Sequence, residues 1–555
     1  MSTRDSWKLL VFRDGRRVRN GRELLHGLVR QVECVQSYSD FTSQFSRDEV
    51  IDALLRSGEL ECALADQQSC EAQASTLAAI TDTLARAAVG SVKPTLGPQV
   101  LQQISEMTVP ERLTVSTPEG FCYYALHPLD YVDLLSENKI DIPAAAVIGI
   151  RSIGTTLSAI VRAWFEANGT ASERITVRPE GHPFDRTLTF DGTQRGWIAK
   201  QQKRGAQFFV VDEGPGLSGS SFLAVAEALV DAGVASNRIV LLPSSIPDLP
   251  NLFAPNAAAR WSRFRTLTLN PTRRIPPDAA EFVGGGEWRK YVFACESEWP
   301  AVWPWTERQK YLSPDKRNIY RFDGHGRYGK EVRHRSEILA GHGWGPEVAS
   351  AGDGFSASPW LEGARPRRAD QNVTTQLARY CAFRAEHFAC DAVPQTEIEQ
   401  MAQINLERGL GVSSRIELPI KRPVIADARM MPYEWILSPQ GRLLKFDAAS
   451  HGDDHFYPGP TDIAWDLAGV IVEWQLTPEQ THFLIEEYEH LTSDFIRKRI
   501  STYLGAYCVF RLALTASARL SCANTSDAAR LERESSQYRT ELEFLINRLT
   551  ASVAR

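Results

Sequence analysis

Asp212 and Glu213 follow the apolar run Phe209-Val210-Val211. They precede the small polar stretch Gly214-Pro215-Gly216-Leu217-Ser218-Gly219-Ser220-Ser221, and a helical pattern begins at Phe222. A buried strand, a glycine–serine loop and a helix N-terminus together make a phosphate holder. Free backbone N–H groups and the positive end of the helix face the anion, and glycine lets the main chain come close. The acids add what a plain phosphate loop lacks. Two carboxylates at a strand end can accept hydrogen bonds from two vicinal hydroxyls, and a sugar phosphate presents both groups at once. An ordinary turn between strand and helix would use the same small residues, so the acids carry the distinction.

A second unit of this kind lies about sixty residues earlier. The apolar run from Ala145 to Ile150 leads into Arg151-Ser152-Ile153-Gly154-Thr155-Thr156-Leu157 and a helical stretch over 158–167. Arg151 would add a planar fork for phosphate oxygens. Between the two units, Arg178, His182 and Arg186 sit in a segment containing proline and glycine, which reads equally as a basic cover or as a solvated turn. The two loops in this order resemble the binding signature for 5-phosphoribosyl diphosphate (PRPP) of type I phosphoribosyltransferases, over about residues 95–245. The resemblance implies that Asp212 and Glu213 meet the ribose hydroxyls and act in catalysis. It implies that Gly216, Ser218, Gly219, Ser220 and Ser221 surround the 5′-phosphate, and that Arg151, Ser152, Gly154 and Thr155 grip the pyrophosphate. It also implies a mobile basic loop, drawn from Arg178, His182 and Arg186. The spacer between acids and turn is one residue longer than in the family and carries Pro215.

The C-terminal half holds a different constellation. Ile425-Ala426-Asp427 is followed by Met430 to Leu437, including Glu434, then by Gly441 to Asp447 and by Asp462-Ile463-Ala464-Trp465-Asp466. This resembles the core of the aminoglycoside phosphotransferase and choline kinase group of protein-kinase-like enzymes, over about residues 285–550. The resemblance implies Asp427 as catalytic base, Glu434 and Asp447 as Mg²⁺ ligands, and Asp466 as the acid that ties the catalytic loop. Arg321, or Lys310, would meet the nucleotide phosphates, with Glu337 as its helix partner. Oxygen ligands beside a nucleotide suit Mg²⁺, which takes few protein ligands. Ile425 stands where the family has a histidine, and the gap from Asp427 to the expected asparagine position is too long. Gly324-His325-Gly326-Arg327-Tyr328-Gly329 follows the presumed basic strand, so a tight strand-to-helix turn explains it as well as a phosphate loop does. His451-Gly452-Asp453-Asp454-His455 reads as a metal-holding cluster or, preferably, as a polar surface loop. The tryptophans at 288, 299, 303, 305, 344 and 360 read as packing anchors.

These groups need scaffolds. At 555 residues the chain is expected to divide into a helical extension (1–94), an α/β phosphoribosyltransferase-like domain with a parallel sheet (95–250), a proline-rich linker (251–284) and an α+β bilobal kinase-like domain (285–555). A formal net charge of −6 gives no electrostatic case for nucleic acid, and no apolar run is long enough for a membrane span. Nine cysteines without CxxC pairing, and an N-terminus without an apolar secretory core, point to a cytoplasmic protein with reduced thiols. The expected function is a bifunctional small-molecule enzyme. PRPP-dependent transfer to a nitrogenous base or similar acceptor would be coupled to ATP-dependent phosphorylation of a related molecule, with Mg²⁺. The alternatives are a PRPP- or nucleotide-sensing regulator with an inactive kinase-like scaffold, and a hydrolase or lyase acting on a phosphorylated nucleoside. The acceptors and the oligomeric state stay open, a homodimer among the options.

Overall fold

In the computed structural model the described residues are 9–13, 15–94, 96–269, 274–391 and 393–553. Strand β1 (Arg16–Asn20) pairs antiparallel with β2 (Arg112–Ser116), and helices Gly21–Ser37, Gln44–Ala65 and Glu71–Gly90 lie between them in sequence. The parallel sheet follows: β3 (Ala144–Ile150), β4 (Ala171–Val177), then the hairpin β5 (Glu180–His182) and β6 (Asp185–Thr187), then β7 (Gln207–Val211), β8 (Ile239–Leu242) and β9 (Arg265–Thr266). Its order is β4-β3-β7-β8-β9, with every neighbouring pair parallel. Every residue of β3 is buried, as a strand covered on both faces requires. Ala145 and Val147 face a core shared with helix Ile153–Ala167 and the three N-terminal helices. Ala146 and Ile148 face the core of helices Gly192–Lys203 and Ser220–Asp231. The chain therefore leaves β3 toward one edge and returns at β7 toward the other. Such a switch point opens a crevice at the carboxyl ends of the two strands.

The second unit begins with β10 (Glu281–Phe282), β11 (Lys310–Leu312), β12 (Asn318–Phe322), β13 (Ala349–Gly352) and β14 (Phe355–Pro359) in an antiparallel sheet of order β10-β11-β12-β14-β13. Helix Gly326–Gly341 joins β12 to β13. A mainly helical lobe follows, from Gln371–His387 to Ser526–Val553. Short pairs are set into its loops: β15 (Pro423–Ile425) with β18 (Pro460–Asp462), and β16 (Trp435–Leu437) with β17 (Leu443–Lys445).

The stretch 251–284, expected to be a linker with short structured pieces, places such pieces in both sheets. β9 completes the parallel sheet, helix Ala257–Trp261 packs beside Ser220–Asp231, and β10 opens the next sheet. A two-residue strand is too short to show a period in sequence. Nor does the first helical segment serve only the parallel sheet. Asp52, in helix Gln44–Ala65, accepts the backbone N–H of Arg327 at 3.0 Å and pairs with Lys330 at 3.0 Å. Those contacts place the 324–329 glycines in a strand-to-helix turn against the N-terminal unit. A Cβ on Gly326 would stand 2.7 Å from Asp52 Oδ1, so the residue is glycine for packing and not for phosphate. Among the described residues no helix is long and apolar enough to cross a membrane.

Candidate functional site

The crevice outside β3 and β7 is a cavity of about 1,060 Å³. Arg151 and Ser152 line it from the end of β3, and Asp212, Glu213, Gly216, Ser218 and Ser221 from the end of β7. Tyr131 fixes the strand end by donating to the Asp212 carbonyl at 2.7 Å, and the Gly120 N–H donates to Glu213 Oε2 at 3.0 Å. Burial pushes the Asp212 carboxyl up to about 7. Burial, with the Glu119 and Asp212 charges beside it, pushes Glu213 up to about 8. Ser152 holds a φ of +112°, a conformation that costs energy for a residue with a Cβ.

Other expected residues lie differently. Thr155 is fully buried and Gly154 packs under the loop: a Cβ there would sit 2.5 Å from the Val211 carbonyl oxygen. Gly219, with φ of +68°, begins helix Ser220–Asp231. The Ser218 and Ser220 hydroxyls donate to the Pro183 carbonyl at 2.9 and 2.7 Å, so the β5–β6 hairpin already rests on the serine turn. Arg151 and Arg178 both pair with Asp66, at 3.1 and 2.6 Å. Arg186 lines the cavity, and His182 is exposed. Asp66 was missed in the sequence because it lies 85 residues before Arg151, at the end of a helix with no motif.

In the second unit a cleft of about 200 Å³ lies between the antiparallel sheet and the helical lobe. Asp466 accepts the backbone N–H groups of Asp427 and Ala428 at 2.8 and 2.9 Å, which ties the loop before Glu434. Asp427 itself is fully buried and does not line the cleft. The Tyr380 hydroxyl donates to it, and the Lys445 ammonium stands 3.4 Å away. Burial alone would raise its carboxyl, but Lys445, His451 and Arg384 outweigh that and hold it well below the usual range. Asp447, held at a φ of +55°, receives Lys310 Nζ at 2.7 Å and Arg321 Nη1 at 2.6 Å. Burial opposes its charge, and those two cations overcome the opposition.

Glu337 is not the partner of Arg321. Helix Gly326–Gly341 buries Val332, Arg335 and Leu339, which turns Glu337 outward to His334 at 3.7 Å. The 451–455 loop is not a surface loop either. His451 and His455 are both buried. His451 Nε2 is 3.6 Å from Asp447, whereas His455 meets the Tyr124 hydroxyl at 3.0 Å and stacks on Phe12. The loop is thus a wall shared by the cleft and the larger cavity. Trp288, Trp303 and Trp360 line the cleft, beyond the packing role expected of them.

The Mg²⁺ site implied by the kinase resemblance fails a test of fit. Asp427, Glu434 and His451 do present ligand atoms within 4.8 Å of one another. The fully buried Lys445 ammonium, however, stands 2.5 Å from Glu434 and 2.7 Å from the Arg429 carbonyl, while both Asp447 oxygens hold cations. A dication there would face like charge at close range and would have to displace established pairs. Glu434 and Asp447 are therefore occupied by the protein's own cations.

No family model matches this chain, and no curated protein matches it. Solved structures similar to it include a choline kinase from Streptococcus pneumoniae, 18% identical, covering 42% of this chain and 89% of that one, with a TM-score of 0.28. A choline/ethanolamine kinase family protein from Mesorhizobium loti is 13% identical over 46% of this chain and 94% of that one, with a TM-score of 0.29. A putative aminoglycoside phosphotransferase from Ralstonia eutropha is 10% identical over 47% and 97%, with a TM-score of 0.33. At these values no residue role transfers.

Proposed function

We propose that the N-terminal unit binds PRPP·Mg²⁺ and transfers its phosphoribosyl group to a nitrogen nucleophile, and that the C-terminal unit binds a nucleotide. One observation carries the first part. The Asp212–Glu213 pair and both small-residue loops meet at the switch-point crevice of a parallel sheet. In the reaction the bond from the anomeric carbon to pyrophosphate breaks, a C–N bond forms, and the proton from the acceptor nitrogen passes to the departing pyrophosphate or to water. The carboxylates of Asp212 and Glu213 hold the ribose hydroxyls. Their charge favours the positive, oxocarbenium-like sugar that develops as pyrophosphate leaves. Arg186 and, once released from Asp66, Arg151 and Arg178 offer charge to the departing pyrophosphate. Titration calorimetry with PRPP·Mg²⁺ tests this: binding is expected in the wild type and not in the Asp212→Asn, Glu213→Gln double variant. Equal affinity in both would remove the assignment.

For the C-terminal unit, the burial of Asp427 and its contacts with Tyr380 and Lys445 favour the regulator reading over phosphoryl transfer. A base must reach the acceptor hydroxyl, and this carboxylate does not open on the cleft. Nucleotide binding without turnover is the expected behaviour. The measurement is γ-phosphate release or transfer from ATP, with choline, ethanolamine and aminoglycosides as trial acceptors. Turnover that disappears in Asp427→Asn would restore the kinase reading.

A further inference from the structure

We infer that the C-terminal cleft takes a nucleoside di- or triphosphate without its divalent cation, the protein's own Lys445, Arg429 and Arg365 supplying the charge that a metal would bring. The inference rests on the nucleotide-binding reading of that cleft and specifies the form of the ligand.

Three observations lead to it. The first is Lys445. It ends β17 in a short run, Leu443-Leu444-Lys445, and its side chain turns inward with no exposure. Its ammonium sits at the centre of the acidic group: 2.5 Å from Glu434, 3.4 Å from Asp427 and 2.7 Å from the Arg429 carbonyl. The acids that could have gathered a dication instead gather a monocation fixed by a covalent stem.

The second is Arg429, two residues after Asp427, which lines the cleft wall. Its backbone N–H donates to Asp427 Oδ1 at 3.3 Å. Among the described residues its guanidinium makes no hydrogen bond and no ion pair within 4.0 Å. The third is Arg365, which also lines the cleft and, among the described residues, donates to the Tyr433 carbonyl and to no carboxylate. Burial pulls its guanidinium down to about 10, and the Glu434 charge offsets this only in part. Glu434, Asp454 and Asp447 lie near enough to act on Arg429, and Glu434 on Arg365, but no carboxylate takes their N–H donors directly; the planar fork left open matches phosphate oxygens. Trp288, Trp360 and Phe446 form an aromatic stretch of the same cleft that suits a base.

The experiment uses the full chain. ATP is titrated calorimetrically in excess EDTA and again in excess Mg²⁺, and Mn²⁺ binding is followed separately by electron paramagnetic resonance. ATP should bind in EDTA with a Kd within about threefold of that in Mg²⁺. Arg429→Gln, a change at the cleft wall, should weaken binding in EDTA by about tenfold or more. Wild-type protein should hold no Mn²⁺ in the cleft. Lys445→Met should gain a Mn²⁺ site that Glu434→Gln, added to it, removes. If Lys445→Met does not fold, the EDTA titrations of wild type and Arg429→Gln still decide. ATP binding that requires Mg²⁺, or Mn²⁺ bound by wild type and lost in Glu434→Gln, overturns the inference and leaves the nucleotide reading standing. A folded Lys445→Met protein with no added Mn²⁺ also overturns it. Absence of ATP binding in both buffers removes the nucleotide reading, and the inference with it.

Discussion

Replacing Asp212 by Asn and Glu213 by Gln together is expected to stabilise the ligand-free protein at alkaline pH while abolishing PRPP binding. In the folded chain burial raises Asp212 to about 7. Burial with the Glu119 and Asp212 charges raises Glu213 to about 8. In the unfolded chain both titrate near 4. The folded state therefore keeps protons that the unfolded state has lost. The penalty is absent below about pH 4, grows between about pH 4 and 8, and is fully present above that window. One unit is worth about 1.4 kcal/mol, so a three-unit rise would cost about 4 kcal/mol for each group. The carboxylates are partly solvated and titrate as a pair, which brings the working figure to about 3 kcal/mol for both. Thermal and urea unfolding at pH 5.5 and 8.5 provides the assay. Wild type should lose about 2 kcal/mol more than the double variant over that interval. PRPP needs the ionised carboxylates, so wild-type affinity should begin to fall as pH drops below about 8 and fall further below about 7. Parallel stability slopes in the two proteins, or PRPP binding by the variant, would refute the reasoning.

Gly154→Ala should lower the unfolding transition of the N-terminal unit by about 1–3 kcal/mol, because its Cβ meets the Val211 carbonyl oxygen at 2.5 Å, main chain that cannot swing away. Asp466→Ala should cost the C-terminal unit about 3 kcal/mol, read by urea unfolding, since it frees two backbone N–H groups and leaves Arg384 without one of its acids. Asp52→Ala removes the acceptor for the Arg327 N–H and a partner of Lys330. Limited proteolysis should then cut within 244–277 faster than in wild type, while PRPP binding stays.

The crevice was legible because its parts are local. β3 and β7 are apolar runs with acids or small residues at their ends, and strand, loop and helix follow one another within about twenty residues. Asp427, Asp447 and Asp466 were likewise visible as loop acids at strand and helix ends. What escaped the sequence depends on which side chain meets which across long separations. Lys445 looks like one polar residue in a β-strand, and nothing in Leu443-Leu444-Lys445 says that it turns toward Glu434 rather than to solvent. Asp66 has no motif, yet it holds both Arg151, expected to grip pyrophosphate, and Arg178, expected in the basic loop. The histidines at 451 and 455 read as a solvated cluster because the residues that bury His455, Phe12 and Tyr124, lie more than 300 positions earlier.

That last pairing changes how the two halves relate. Had the 451–455 loop been at the surface, the cavity at β3 and β7 and the cleft at Asp447 would be separate sites on one chain. Instead His451 faces Asp447 and His455 faces Tyr124, with only three residues between them. His455 is held neutral, pushed down to about 3 by burial and by Arg308, Arg13 and Arg429, so it meets Tyr124 as an uncharged partner at ordinary pH. Asp454 sets the loop by accepting the Phe456 N–H at 2.8 Å, and the Arg13 N–H donates to the His455 carbonyl at 2.8 Å. A segment tied this closely on both sides has little freedom to let one site rearrange alone. The two units meet through a packed wall at this loop.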